Sequence, residues 1–353
     1  MQLSVLDHLP DALLGCDITQ LAALLRGPTL IHLSGRDPHP LFVSVLLHGN
    51  EPTGFEAVQA ILRRHAGGAL PRALSLFIGN VAAAAQGVRT LPEQADYNRV
   101  WPGTAMPDCA EAALMRQVFE QMRARKPFAS IDIHNTSGMN PHYACVSRLE
   151  QPYFHLARLF GRIVIYIERP FGIQSRAMAD LCPAVTVECG RIGDRYARDH
   201  AFEFVEACLR LSHFPEHDIA PHDIDLLQTV AVLKVPLDVS FSFDDSPADI
   251  RFRADLDRLN FSSIEAGTLL GRADAASGAR VEVLPGGDFE VLEEFLEHVD
   301  GEIRFSRAAV PAMLTRDPNA VRLDCLGYLM ERIGFDGRPV VSAEGGGGKS
   351  SPA

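Results

Sequence analysis

The alternation of apolar and polar positions divides the chain into short β-prone runs separated by segments of helical period. Thr29 to Leu33, 41–47, 74–79, 129–134, 143–147, 163–167 and 184–188 read as strands. Between them, 53–65 places Phe55, Val58, Ile61 and Leu62 on one helical face. Segment 109–125 repeats the period with Ala112, Met115, Val118, Phe119 and Met122, and 194–212 does so with Tyr196, His200, Phe204, Cys208 and Leu211. An earlier period, Ile18 to Leu25, predicts a helix ended by Gly27-Pro28. Short strands alternating with helices predict an α/β fold, a largely parallel sheet covered on both faces. Such sheets keep their ligand crevice at the strand ends.

After about residue 215 the pattern changes. Phe214 to His222 carries two prolines and reads as a linker. β-prone runs follow at 229–234, 238–242, 250–254, 281–284 and 302–305, broken by Pro-Gly-Gly at 285–287 and Asp-Gly at 300–301. The expected organisation is an α/β domain over 1–215, a smaller mainly β domain over 222–341, and a disordered Gly/Ser-rich tail over 343–353.

Composition narrows the function. With 353 residues, 47% of them apolar, the chain can build a sizeable core, yet no run approaches the roughly 20 apolar residues of a membrane span. A net charge of −12 argues against a nucleic-acid partner, whose phosphates need a basic footprint. Met1 to Asp7 lacks the basic and apolar regions of a signal peptide. Seven dispersed cysteines without a Cys-x-x-Cys pair suit a reducing cytoplasm. They also leave histidine and carboxylate as the metal donors.

Those donors occur where strands end. Leu47-His48-Gly49-Asn50-Glu51-Pro52-Thr53-Gly54 follows one β-prone run, and Ile131-Asp132-Ile133-His134-Asn135 closes another. Two imidazoles and one carboxylate form the ligand set of a catalytic zinc site with a fourth position open to water. A His-x-x-Glu pair taken alone occurs often by chance, and a His at a strand end is usually just a polar rim residue. The neighbouring blocks decide between these readings: Asp96-Tyr97-Asn98-Arg99-Val100-Trp101-Pro102-Gly103 follows Asn80 and Arg89, and Thr186-Val187-Glu188-Cys189-Gly190 closes a further strand.

In these blocks, and in their order, the chain resembles the succinylglutamate desuccinylase/aspartoacylase branch of the zinc carboxypeptidase superfamily, from about residue 29 to about residue 340. The resemblance implies that fold, with one zinc per chain held by His48, Glu51 and His134. It implies Arg89 facing the scissile carbonyl, Asn98 and Arg99 gripping a substrate carboxylate, Glu188 as general base, and Arg176 as a second carboxylate-binding arginine. Asp132 would orient His134. Tyr97 stands where the family has Leu, and Trp101 where it has Phe. Tyr328, the last tyrosine, is the candidate for the family's late tyrosine, and His142 is a candidate pocket residue. Arg176 or Arg191 would recognise a second carboxylate.

The implied activity is zinc-dependent removal of the acyl group from a small anionic N-acyl amino acid by a zinc-activated water. A zinc carboxypeptidase acting on short peptides shares the same parts, and a metal-binding non-enzyme would share the ligands alone. Glu188 and Arg89 are not needed to hold metal, and so favour an enzyme. A homo-oligomer is compatible with this reading.

Overall fold

The computed structural model describes residues 2–286 and 295–340. The chain begins with β1 (Ser4–Leu6), α1 (Leu21–Leu24), β2 (Thr29–Leu33), β3 (Gly35–Val45), α2 (Thr53–Arg64), β4 (Leu70–Ile78), α3 (Val81–Ala84) and α4 (Ala110–Arg125). It continues with β5 (Ala129–Thr136), β6 (Tyr143–Val146), α5 (Gln151–Phe160), β7 (Ile163–Tyr166), α6 (Gln174–Met178), β8 (Ala184–Arg191), α7 (Ala197–Arg210) and β9 (Asp225–Lys234). Short strands then dominate: β10 (Phe241–Ser242), β11 (Ile250–Phe252), β12 (Leu269–Ala273), β13 (Glu282–Pro285), β14 (Leu296–Val299), β15 (Glu302–Phe305) and β16 (Val310–Ala312). Helix α8 (Pro318–Leu323) and β17 (Gly327–Arg332) complete it.

The expected α/β class holds. A large sheet runs β1-β2-β4-β3-β5-β8-β6-β7-β9-β17-β16, with β13 also on β9. Its centre, β4-β3-β5-β8, is parallel. All eight residues of β5 are buried, as expected of a strand covered on both faces. Alternation sorts them. Ile133 faces α2, where a Cβ on Gly54 would come within 2.9 Å of the Ile133 Cβ. Ser130 faces α6, accepting 2.8 Å from Gln174 Nε2. Asp132 and His134 share the Ser130 face.

Several elements differ from the sequence expectation, each for a physical reason. The Ile18 to Leu25 period is a 3-10 turn, capped by the Asp17 and Gln20 side chains, followed by a single α turn. Eight residues are too few to sustain a helix without a packed face. Strand β3 starts six residues early, because its polar first half pairs with β4 at Gly35↔Leu70 and Asp37↔Arg72. Backbone pairing supplies there what apolar side chains do not advertise.

The chain after residue 222 is β-rich and divides its strands between two sheets. Strands β10, β11, β12, β15 and β14 form a separate five-stranded sheet. By contrast β9, β13, β16 and β17 extend the large sheet. Asp300 and Gly301, both at positive φ, make the tight turn of the β14–β15 hairpin as Asp-Gly predicts. The tail expectation at 343–353 and part of the Pro-Gly-Gly turn lie outside the described residues. No helix of the described residues is long and apolar enough to cross a membrane.

The exit of β3 determines where the turn carrying His48 and Glu51 begins. Leu46 adopts φ +55°, Gly79 N donates to Val45 O, and Asn80 N donates to Leu46 O at 2.6 Å. Gly49 N then donates to Arg89 O at 3.0 Å. A Cβ on Gly49 would lie 2.2 Å from Ala84 N and 2.3 Å from Ala83 C, so backbone meets backbone here. Gly49→Ala should therefore lower stability by about 1–3 kcal/mol, the usual cost of overpacking. A urea titration showing a reduced midpoint with an unchanged slope checks this, and an unmoved midpoint would mean the turn has room to relax.

Candidate metal centre

Three strand exits converge. His48 and Glu51 lie in the turn between β3 and α2, His134 lies near the end of β5, and Glu188 is its register partner on β8. Among the described residues, His48, Glu51 and His134 form the one group of three metal-donor side chains whose ligand atoms all lie within 4.8 Å of one another. All three are buried. Glu51 stands between the two rings: Oε1 is 2.9 Å from His48 Nδ1, and Oε2 is 2.7 Å from His134 Nδ1.

The outer ring nitrogens are held by carboxylates. His134 Nε2 lies 2.8 Å from Asp132 Oδ2, and His48 Nε2 lies 3.0 Å from Asp96 Oδ1. Asp132 is itself fixed by the Ser44 hydroxyl at 2.6 Å. A carboxylate behind each imidazole fixes its tautomer and leaves Nδ1 for a metal. The Asp132 contact agrees with the role expected for it. The part played by Asp96 was not foreseen, since it lies 48 residues from His48, across α2, β4 and α3.

Charge at this centre is strongly coupled. Burial pushes Glu51 up, but His48 and His134 outweigh it and hold the carboxyl below the usual carboxylate range. Burial likewise pushes the His134 imidazole down, and Asp132 and Glu51 together hold it well above its ordinary value. Burial raises Asp96 too, and His48, Arg89 and Arg99 bring it below its ordinary value. Four carboxylates (Glu51, Asp96, Asp132 and Glu188) thus surround two imidazoles, with Arg89 alongside. Two nitrogens and an oxygen converging in a carboxylate-rich pocket suit a divalent cation of zinc's preference.

Glu188 differs from the others. Its Oε2 is buried without a hydrogen-bond partner. Burial raises its carboxyl to about 7, with His134 opposing and Glu51 adding to the rise.

The remaining predicted residues separate. Arg89 lines the cavity, with its guanidinium 3.1 Å from Asp96 Oδ2 and 3.6 Å from Glu51 Oε1. Arg99 also lines it, 3.8 Å from Asp324 Oδ2. Asn98 lines it as well: its Oδ1 accepts from Gln174 N at 2.9 Å and its Nδ2 lies 3.1 Å from His134 Nε2. Arg176 is not brought to the cavity. Its guanidinium donates to Glu168 O at 2.6 Å and stacks over Phe171. Arg191 is exposed and faces a separate depression beside Asn140. His142 lies beside His200 and Asp194, away from the centre.

Tyr97 and Trp101, the two departures from the family pattern, are both buried anchors. The Trp101 indole stands edge-on to Phe42 and Phe77, which pins the loop carrying Asn98 and Arg99 to the sheet.

The cavity has two lobes. An inner lobe of about 130 Å³ reaches from the metal donors past Glu188 to Tyr143 and Met330. An outer lobe of about 400 Å³ shares Glu51, Arg89, Asn135, Met313, Asp324 and Tyr328 with it. Tyr328 therefore reaches the site, as do Tyr143, Cys145 and Asp324, which no sequence spacing singled out.

Residues 40–214 match the succinylglutamate desuccinylase/aspartoacylase catalytic domain. A search by sequence among curated proteins finds no match. The fold is similar to that of succinylglutamate desuccinylase from Chromobacterium violaceum, at a TM-score of 0.56 and 17% identity over 85% of this chain and 86% of that one. It is also similar to murine aminoacylase 3, at 0.55 and 14% identity over 85% and 97%. A succinylglutamate desuccinylase/aspartoacylase from Rhodobacter sphaeroides gives 0.54 and 12% over 86% and 88%.

The carboxylates behind the imidazoles have a measurable consequence. Asp96→Asn removes the negative charge behind His48 while keeping the side chain's shape. Metal affinity should fall about 10–100-fold, read by competition with a chromophoric chelator. Unchanged affinity would reduce Asp96 to a partner of Arg89 alone.

Proposed function

The chain belongs to the succinylglutamate desuccinylase/aspartoacylase family, an acyl-amino-acid deacylase family by catalytic domain and fold, and from that premise we propose that it is a zinc-dependent amidohydrolase. Its substrate would be an N-acyl amino acid, cleaved to the free amine and a carboxylic acid. The observation that carries this reading is the convergence of the His48, Glu51 and His134 donor atoms within 4.8 Å, with the unpartnered Glu188 Oε2 beside them.

His48, Glu51 and His134 would hold the zinc. When bound, zinc polarises a carbonyl oxygen and brings the pKa of a coordinated water down to about 7. Glu188 accepts a proton at Oε2 and returns it to the departing amine, a role usually worth about 10²–10⁴ in rate. A carboxyl raised to about 7 is matched to that exchange near neutral pH. Arg89, kept charged by Asp96 and Glu51 against the cost of burial, donates toward the oxygen of the scissile carbonyl. Arg99 presents its guanidinium to the substrate carboxylate in place of Asp324.

The inner lobe supports a deacylase over a peptide-trimming carboxypeptidase. Ala312, Met313, Tyr328 and Met330, all from the C-terminal part of the chain, help close it to about 130 Å³. That volume takes one small group, not an extended peptide.

Three measurements test the reading. The purified protein should carry about one zinc per chain, with amide hydrolysis lost on chelation and restored by zinc. Glu188→Gln should retain zinc while kcat falls at least about 10²-fold, whereas unchanged turnover would make the carboxylate structural. Arg99→Lys keeps the charge but loses the planar fork, so KM for a free-acid substrate should rise roughly 10-fold or more. Equal KM values for the free acid and its amide would show that no carboxylate is anchored there.

A further inference from the structure

The inner lobe carries information on the substrate that the metal donors do not. Past Glu188 its wall is made largely by Cys145, Ile165, Ile167, Ile173, Ala312 and Met330, with the uncharged hydroxyls of Tyr143, Thr186, Thr229 and Tyr328 among them. The cations at the site are already placed. Arg89 lies between Asp96 and Glu51. Arg99 donates to Asn98 O at 2.9 Å and lies 3.8 Å from Asp324 Oδ2, and Arg169 lines the cavity as an exposed side chain over Phe171. Arg176 and Arg191 lie outside the cavity. The other fixed charges lining the inner lobe are the acids Glu51, Glu188 and Asp324.

Resting on the deacylase reading, we propose that the substrate has one carboxylate, taken by Arg99, and an apolar group seated in the inner lobe. A dicarboxylic substrate would place its second charge among aliphatic wall, uncharged hydroxyls and acidic side chains, a poor exchange for its hydration. The size follows from the volume. A dry aliphatic cavity of about 150 Å³ accepts a benzene ring. A lobe of about 130 Å³, which the metal donors and Arg99 also line, limits that group to a branched aliphatic or phenyl at most.

Two arms on the zinc-loaded full chain test this. The first measures kcat/KM for amine release from N-acetyl-leucine, N-acetyl-phenylalanine and N-benzoylglycine beside N-acetylaspartate and N-succinylglutamate. At least one apolar compound should exceed both dicarboxylates by roughly 100-fold, since each buried methylene contributes roughly fourfold. The same series includes Ile167→Arg, which adds a cation to a half-buried wall position. The ratio of apolar to dicarboxylic kcat/KM should fall at least 10-fold in it, and a ratio does not depend on the fraction of folded enzyme.

The second arm measures calorimetric binding of the same compounds to Glu188→Gln. Tighter binding of the apolar compounds without any turnover by wild type would overturn the deacylase reading and leave the pocket assignment standing. Preference for a dicarboxylate in both arms would overturn the assignment alone. An unchanged ratio in Ile167→Arg would likewise remove the inner lobe as the determinant of selectivity.

Discussion

Ser44, Asp132 and Thr186 stand side by side on three parallel strands, β3, β5 and β8, and this registration decides where chemistry can occur. One step further along, the same register sets His134 beside Glu188. Parallel strands of equal length end together, so their side chains and exit turns meet above one edge. A slip of one residue in β5 would turn His134 onto the face packed by α2. Ser44 opposes that slip through its bond to Asp132, which holds the ring of His134. The polar row is buried, and its hydrogen bonds therefore specify position as well as offsetting the desolvation of Asp132.

Electrostatics at this edge runs against the overall charge of −12. The carboxylates are spent on the imidazoles and on Arg89, each within hydrogen-bond or ion-pair distance. The Arg99 contact is the loosest of these, and it reaches to a residue from the C-terminal part of the chain. Distant surface acids are screened over roughly 8–10 Å at physiological salt. A carboxylate reaching Arg99 competes chiefly with Asp324, the nearest acid.

The strand ends are legible in the sequence because ligand-bearing turns follow apolar runs that can only be buried strands. His48, Glu51 and His134 needed that inference and the resemblance carried by the neighbouring blocks, and the structure brings all three together. Long-range pairings were not legible. Tyr143 faces Glu188 because β6 returns antiparallel beside β8, and no local spacing encodes that pairing. The partners of Asn98 were illegible for a similar reason. Its amide contacts His134 and the backbone of Gln174, two partners 36 and 76 residues away in the chain. Arg176 shows the complementary limit: α6 places it near the site, yet the Phe171 ring and the Glu168 carbonyl take its guanidinium elsewhere.

The C-terminal strands raise a geometric question that the cavity answers. From β8 to β16 the sheet takes five steps, through β6, β7, β9 and β17. At about 4.8 Å per step a flat sheet would set β16 about 24 Å from Glu188. Yet Ala312 of β16 lines the same small lobe as Glu188. Tyr143, Cys145, Ile165, Leu227, Ala312 and Met330 also form one apolar cluster drawn from all five of these strands. The sheet must curl back on itself, as twisted sheets do when extended. The register shift between Leu329 and Met330 in β17 is the kind of irregularity that bends a strand. The inner lobe is the hollow of that curl. Its capacity is then fixed by backbone curvature, while its polarity is fixed by single inward-facing side chains. Selectivity can therefore change at Ile167 or Met330 without moving the strands that carry His48, His134 and Glu188.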